Sequence, residues 1–412
     1  MKKKILEILK WSEKYTKTDM TYIAKGGFWL ILNKVGILLA SFITMVAFGN
    51  WLSQEAFGVY QYIIAGTSMV AILTLPGINT SIIKSIAQGK EGTLWVATKE
   101  RFRWSILGSL GLLIASGWYF INGNALLGGG LLMAGILMPG EKIFTIFKPY
   151  WNGKKDFKNY TKYSLGFSFF FLLILIPAIY LTNNVLIIIF AYFISSIIFA
   201  GLFFLKTLKQ VKNYEVDETA IPFGKSLTMM GTFQTIARHI DKIIVWKFLG
   251  PVQVAIYSFS ILPINKIIGI IPVGPLALPK LGEKKIDRKR KKGVMAKFLK
   301  LFLVFIPMAV VLALIAPFIY GIFFPQYMES VKFFQVLTLL VAVGGPFVIL
   351  DSALIVEVKT KYLYIIKTTV PAVKIGLFLA LIPFYGIWGM VWAMIISEII
   401  RGIFLVYYFK KL

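Results

Sequence analysis

Four polar side chains lie close together in a strongly apolar part of the chain. Gln234, Arg238, Asp241 and Lys242 follow one another at offsets of four, seven and eight residues, so on a helix they share one face. A charge at bilayer depth costs about 2.5–3.5 kcal/mol on insertion scales, so such residues normally face a polar interior and mark a transport path. This polar stripe therefore predicts a membrane-spanning helix that directs mixed charge toward a wet or charged cavity.

Other ionisable residues also interrupt apolar runs, and basic ones exceed acidic ones. A positive cavity suits an anionic ligand, because Lys and Arg bind phosphate through charge-assisted hydrogen bonds. We predict five substrate-binding residues, namely Lys34, Arg238, Lys242, Lys266 and Lys374. Asp241 is the candidate for coupling to H+ or Na+, ahead of His239, because a lone His more often bonds to a neighbouring helix.

Two pairs of charges have a simpler structural explanation. Arg238 and Asp241 are three residues apart, as are Glu398 and Arg401, so each pair could neutralise itself on its own helix. Asp351 could be a plain interfacial residue. With no Cys and a single His in the chain, we expect no disulfide, no thiol catalysis and no Cys/His metal site, and no cofactor is predicted.

The composition excludes an ordinary soluble domain. Of 412 residues, 58% are hydrophobic and only 15% are charged, yet the net charge is +27. The basic residues lie in short segments between apolar runs, as the positive-inside rule predicts for a multispanning protein, so we expect no nucleic-acid partner. Residues 1–17 alternate Lys with Ile and Leu, which indicates a helix lying on an anionic membrane surface.

Apolar runs long enough to span a bilayer occur twelve times. They lie at about 26–48, 59–83, 104–121, 125–147, 164–181, 184–205, 226–248, 252–279, 298–319, 331–354, 365–383 and 387–408. The segments on one side of these spans hold 37 of the 45 Lys and Arg residues, and four of the six alternate connections hold none. This bias places both termini in the cytoplasm and makes the outward loops very short.

The longest polar connection in the middle of the chain divides it into two sets of six spans. We predict an N-terminal lobe at 1–205, a cytoplasmic linker at 206–225 and a C-terminal lobe at 226–412. The two sets are weakly similar at an offset of 197 residues, where Leu52 aligns with Leu249 and Tyr60 with Tyr257, which indicates parallel repeats. Pro76-Gly77 and the run from Pro272 to Pro275 interrupt equivalent spans.

Several segments resemble one family of transporters. The segments from Trp51 to Tyr60, Leu75 to Thr80 and Ile86 to Gly89 are similar to the N-terminal half of polysaccharide flippases, and Asp241 to Ser258 is similar to the start of their second half. These are the Wzx-type oligosaccharide-lipid flippases of the multidrug/oligosaccharidyl-lipid/polysaccharide exporter superfamily.

The resemblance implies an all-α membrane protein with two six-helix lobes around a central cavity. It further implies alternating access that moves a polyprenyl-diphosphate-linked oligosaccharide across the bacterial cytoplasmic membrane. The implied partners are the lipid-linked oligosaccharide, membrane lipids, a polysaccharide polymerase and glycosyltransferases. A multidrug exporter of the same superfamily is one alternative, although its cavity should be mainly acidic. A membrane-embedded polymerase or glycosyltransferase is another, although it needs a sizeable loop for its chemistry, so we expect a protein that is not an enzyme.

Overall fold

Helices are the regular secondary structure of the described residues, which in this computed structural model are 20–270, 281, 287–357 and 360–412. The predicted surface helix at 1–17 and the interruption at Pro272 to Pro275 lie outside them. The α-helices in chain order are α1 Met20–Trp51, α2 Gln54–Val70, α3 Ile78–Ala87, α4 Thr93–Ile121, α5 Ala125–Phe144, α6 Phe147–Gly153, α7 Phe157–Leu181, α8 Val185–Leu208, α9 Ala220–Leu249, α10 Pro251–Ile270, α11 Arg288–Phe323, α12 Ser330–Leu337, α13 Leu339–Val356 and α14 Thr360–Lys410.

Ten stretches of the described chain are long and apolar enough to cross a membrane. One of them, Lys361–Lys410, contains two spans, because the backbone leaves the helical region at Gly386 (φ 57°, ψ −136°). The chain folds back there: a Cβ atom on Gly389 would lie 2.3 Å from the carbonyl oxygen of Leu381. Helix α9 brings the number of spans to twelve; its charged stripe makes it more polar than the ten apolar stretches. The prediction of twelve spans in two six-helix lobes is confirmed.

Helices α2 and α10, which the repeat pattern makes equivalent, pack directly against each other. The contact is close because Gly58 has no side chain: a Cβ atom there would lie 1.9 Å from the carbonyl oxygen of Pro251. Phe57 and Tyr257 from the two helices are fully buried in one hydrophobic core. The two repeats therefore share a core rather than touching only at their surfaces.

The predicted interruption of the second span is a real break in the helix. Leu75 has a left-handed backbone (φ 56°), and α3 starts only at Ile78. Proline breaks leave backbone groups that need new partners. Here the buried Arg101 side chain donates through Nε to the carbonyl oxygen of Thr74 at 3.1 Å, and the Gly77 N–H donates to Thr228 Oγ1 of α9 at 3.0 Å.

The non-helical connection between α8 and α9 spans 209–219 and is held against the preceding part of the chain. The buried Glu91 carboxylate accepts hydrogen bonds from the Lys212 backbone N–H at 2.9 Å and from the Tyr150 hydroxyl at 3.0 Å. It also forms an ion pair with Lys154. These contacts fix the start of the connection to the α3–α4 loop and to α6.

The end of the same connection is fixed in the same way. Asp217 is 5% exposed, and it accepts a 2.8 Å hydrogen bond from the Ser85 hydroxyl while its own N–H donates to Thr93 Oγ1 at 2.9 Å. Between these anchors the backbone passes so close to Gly92 that a Cβ atom there would lie 2.3 Å from the Tyr214 carbonyl oxygen. The connection is thus a bound strap and not a free tether.

Candidate functional site

Three chambers lie side by side in the middle of the molecule. The N-terminal chamber (about 440 Å³) is lined mainly by α1, α2, α5, α7 and α8, the central chamber (about 520 Å³) by α9 and α10, and the C-terminal chamber (about 400 Å³) by α9, α13 and α14. Leu262 lines both the N-terminal and the central chamber. Five residues line both the central and the C-terminal chamber: Arg238, Asn265, Ile268, Lys374 and Met394.

The polar stripe of α9 faces these chambers along its whole length. Gln234 and Arg238 line the C-terminal chamber, and Arg238, Asp241 and Lys242 line the central one. The stripe changes from exposed to buried along the helix, since Arg238 is exposed whereas Asp241 and Lys242 are 5% and 8% exposed. Helical spacing in the sequence was sufficient to identify which side of α9 faces the cavity.

Asp241 and Arg238 do not neutralise each other. One carboxylate oxygen of Asp241 accepts a 2.6 Å hydrogen bond from the Tyr257 hydroxyl of α10, and the other accepts from the Lys242 backbone N–H at 2.8 Å. Within the described chain, Arg238 has no carboxylate oxygen at ion-pair distance (4.0 Å). The Arg238 guanidinium is therefore available to a ligand in either adjoining chamber.

Lys242 joins the two halves of the molecule. Its ammonium donates a 2.6 Å hydrogen bond to the side-chain oxygen of Gln61 on α2. Both side chains are buried. This contact crosses the interface between α2 and α9, so Lys242 is engaged by the protein in this conformation as well as lining the central chamber.

The other predicted cations occupy three different positions. Lys374 of α14 lines both the central and the C-terminal chamber, with its ammonium 5.2 Å from the centre of the Phe378 ring. Lys266 of α10 lines the N-terminal chamber. Lys34 lines none of the three chambers: it is exposed, two helical turns before the chamber residue Ser41 on the same side of α1.

Arg401 lies at the centre of a charge cluster in the C-terminal chamber. It donates to Glu398 at 2.6 Å, as their three-residue spacing predicted, and also to Asp351 of α13 at 2.7 Å. Asp351 is therefore a partner of Arg401 and not an isolated interfacial residue. The guanidinium satisfies both carboxylates, which leaves the nearby Lys367 and Lys374 without a carboxylate at ion-pair distance among the described residues.

Three charged residues of the chambers were missed by the sequence reasoning. Lys148 and Glu141 line the N-terminal chamber, and Lys367 lines the C-terminal one. All three lie near span ends, where the count of Lys and Arg assigns them to cytoplasmic segments. The structure extends the fourth span to Ala125–Gly153, beyond the predicted end at residue 147, and this places Lys148 within the span and beside the chamber.

The cavity as a whole is positive. Seven basic side chains of the described residues line the three chambers: Lys148, Arg238, Lys242, Lys266, Lys367, Lys374 and Arg401. Four acidic side chains accompany them: Glu141, Asp241, Asp351 and Glu398. Among the described residues, no group of three or more His, Cys, Asp or Glu side chains could hold a metal ion.

Solved structures with similar folds are transporters. The chain resembles the inward closed conformation of the lipid II flippase MurJ with a TM-score of 0.71 and 16% identity, covering 93% of this chain and 87% of that one. An inward-facing multidrug resistance MATE family transporter of the MOP superfamily matches with a TM-score of 0.66, 15% identity and coverage of 92% and 95%. A MOP superfamily transporter from Pyrococcus furiosus, described as having a binding pocket of reverse polarity, matches with a TM-score of 0.60, 14% identity and coverage of 93% and 95%.

Sequence comparison gives the family directly. No curated protein matches the chain. The family described as "Polysaccharide biosynthesis protein" matches residues 50–332, which include the segments at Trp51 to Tyr60 and Asp241 to Ser258 as well as all of α9 and α10. That match covers well over half of the chain, from the end of α1 into α12. The chain is therefore a membrane protein of the polysaccharide biosynthesis protein family, with the fold of the MOP superfamily transporters.

Proposed function

We propose that the protein is a flippase that carries a polyprenyl-diphosphate-linked oligosaccharide across the bacterial cytoplasmic membrane by alternating access. The observation that supports this most is the positive cavity, in which Arg238 and Lys374 face shared space with no carboxylate of the described chain at ion-pair distance. A diphosphate is the anion that such groups recognise, because each phosphate oxygen accepts charge-assisted hydrogen bonds. The family match and the likeness to a lipid II flippase agree with this substrate class.

The substrate-binding residues in this proposal are those predicted from the sequence, in two steps. Lys34, exposed on the chamber side of α1, attracts the anionic head group toward the cavity. Arg238 and Lys374 then bind it inside, and Lys266 in the N-terminal chamber binds acidic sugars of the glycan. Lys242 lines the central chamber beside them, and its ammonium has two further N–H donors for the ligand besides the one bonded to Gln61.

We propose Asp241 as the ion-coupling residue, with H+ or Na+ as the driving ion. Its carboxylate is buried, lines the central chamber and is held between Tyr257 and the backbone of its own helix. A carboxylate that lies beside the proposed phosphate site links ion binding to substrate release through electrostatics. Both termini lie in the cytoplasm in this proposal, and the lobes divide at 206–225.

The rival functions fit the cavity less well. A multidrug exporter that takes up organic cations needs acidic groups in excess, whereas basic groups exceed acidic ones here. A membrane-embedded polymerase or glycosyltransferase needs a sizeable loop at the outward face. The described outward connections are only a few residues long, as at Ser53, at 122–124 and at 182–184. A polymerase and glycosyltransferases are partners in this proposal.

Translocation in proteoliposomes tests the proposal. The substrate is a fluorescent lipid-linked oligosaccharide, and its exposure in the outer leaflet is followed by a membrane-impermeant quencher. Arg238→Glu and Lys374→Glu should each abolish translocation while the protein still inserts and reconstitutes. Lys247→Glu is the matched control, because Lys247 lies on the same helix as Arg238 but is exposed outside the chambers. Normal translocation by both charge-reversal variants would defeat the proposal.

A further inference from the structure

The N-terminal chamber differs in chemistry from the other two. Aromatic rings dominate its walls: Phe48, Phe57, Tyr60, Phe167, Phe171 and Tyr192. Phe167 and Phe171 are stacked at 6.2 Å, and Tyr192 meets Phe171 edge-on at 5.4 Å. The chamber volume of about 440 Å³ lies within the range of small-molecule sites, which is about 300–1,000 Å³. It is therefore large enough for a neutral ligand of modest size.

Hydroxyl groups are spread among these rings without partners of their own. The side chains of Ser41, Tyr60, Tyr192 and Ser196 line the chamber and form no hydrogen bond to any part of the described chain. A buried hydroxyl normally has a hydrogen-bond partner. Four uncommitted hydroxyls that each donate and accept are suited to a ligand rich in hydroxyl groups.

Three charged side chains of the described chain line this chamber: Glu141 and Lys148 are engaged by the protein, and Lys266 is a single isolated cation. The Lys148 ammonium lies 4.3 Å from the centre of the Phe167 ring, and Glu141 forms a 2.8 Å ion pair with Lys142. In contrast, Arg238 and Lys374 in the other chambers have no carboxylate at ion-pair distance in the described chain. The anionic and the neutral parts of one amphiphilic ligand would therefore be drawn to different chambers.

We infer that the N-terminal chamber is a glycan site, which binds the pyranose rings of the lipid-linked oligosaccharide while its diphosphate lies at Arg238 and Lys374. The inference rests on the proposed function and adds the position of the sugars. The apolar faces of pyranose rings pack on aromatic side chains, and their hydroxyls bond to the free hydroxyls of the wall. Leu262 lines both the N-terminal and the central chamber, so the sugar site and the diphosphate site are adjacent.

Binding of two ligands that differ only in the glycan tests this inference. The probes are the lipid-linked oligosaccharide extracted from the membranes of the source organism and polyprenyl diphosphate of the same chain length. Native mass spectrometry of the protein in detergent micelles gives both Kd values, and their ratio is the glycan preference. The wild-type protein should prefer the oligosaccharide. Phe171→Ala should lower that preference about tenfold, from the loss of one ring contact.

Tyr192→Phe provides a variant that keeps its ring and loses only the hydroxyl, so it is not expected to disturb folding. It should lower the preference about fivefold, the value of one hydrogen bond. Phe170→Ala is the matched control, because Phe170 directly precedes Phe171 on α7 but is exposed and lines none of the three chambers. In both chamber variants the Kd for polyprenyl diphosphate should stay within about twofold of the wild-type value.

The outcomes separate the two ideas. An unchanged glycan preference in Phe171→Ala and Tyr192→Phe would overturn the glycan site and leave the flippase proposal standing. A wild-type protein with no glycan preference, or chamber variants that weaken both probes equally, would also overturn it. A wild-type protein that does not bind polyprenyl diphosphate at all would contradict the proposed function itself.

Discussion

The strap at 209–219 should contribute measurably to stability through one carboxylate. Glu91 is 3% exposed and satisfies three donors: the Lys212 N–H, the Tyr150 hydroxyl and the Lys154 ammonium. Glu91→Ala leaves all three donors without this acceptor. Breaking a buried ion pair by removing one partner costs about 3–5 kcal/mol. The Lys154 side chain is 27% exposed and can be solvated in Glu91→Ala, so the cost should lie near the lower end of that range. Glu91→Gln keeps the shape and one acceptor oxygen, so it should cost about 1.5–3 kcal/mol, the value of a hydrogen bond to a charged group.

Two measurements check this prediction. The apparent melting temperature of the detergent-solubilised protein should fall in the order wild type, Glu91→Gln, Glu91→Ala. Hydrogen exchange of the peptide covering 209–219 should accelerate in Glu91→Ala, because the Lys212 amide loses its acceptor. The control is Glu218→Gln, whose side chain is exposed. If Glu91→Ala melts and exchanges like the wild type, the strap is not held by this carboxylate and the reasoning is wrong.

Three further predictions concern other contacts. Hydrogen bonds, first from the Thr219 side chain, lower the pKa of Asp217 below its usual 3.8. The stability that the Asp217 carboxylate adds is therefore present above pH 3.8 and is lost as the pH falls through the folded-state pKa. The difference in melting temperature between wild type and Asp217→Asn should shrink as the pH falls through that range. Gly58→Ala should destabilise the protein by about 1–3 kcal/mol, since the new methyl would collide with the Pro251 carbonyl oxygen, and an unchanged melting temperature would contradict the close contact. Asp241→Asn should remove the dependence of translocation on an H+ or Na+ gradient, and a persistent dependence would exclude Asp241 as the coupling residue.

The sequence predicted the features that depend on local periodicity and on charge along the chain. Helical spacing identified the chamber side of α9, and apolar runs of spanning length, separated by short basic segments, located twelve spans. Both signals are strong because a bilayer penalises misplaced charge. The repeat offset, which paired Tyr60 with Tyr257, also identified two helices that pack together.

The features that the sequence did not predict depend on contacts between distant residues. Gln61 and Lys242 are 181 positions apart, and the partner of Asp241 is on the next helix. Gln61 is uncharged, so the distribution of charges among the spans does not indicate that it pairs with Lys242. The strap likewise depends on Glu91 meeting a backbone N–H 121 positions away, which no local pattern encodes. Such pairs become visible only when the helices are placed together.

Charges near span ends were the other source of error. Lys148 and Lys367 were counted with cytoplasmic segments, yet both side chains line chambers. A long side chain at the end of a span can extend either to the interface or into a cavity, and composition does not distinguish the two. The chambers therefore hold basic side chains that the prediction did not include, whereas Lys34, which it did include, lies outside them.

Arg238 and Lys374, two fixed cations of the C-terminal lobe, bind the diphosphate in the proposed function. The most direct test is a cryo-EM structure of the protein with bound polyprenyl diphosphate. Phosphate oxygens should lie about 2.7–2.9 Å from the side-chain nitrogens of both residues. A diphosphate bound on the lipid-facing surface, with the central and C-terminal chambers empty, would contradict it.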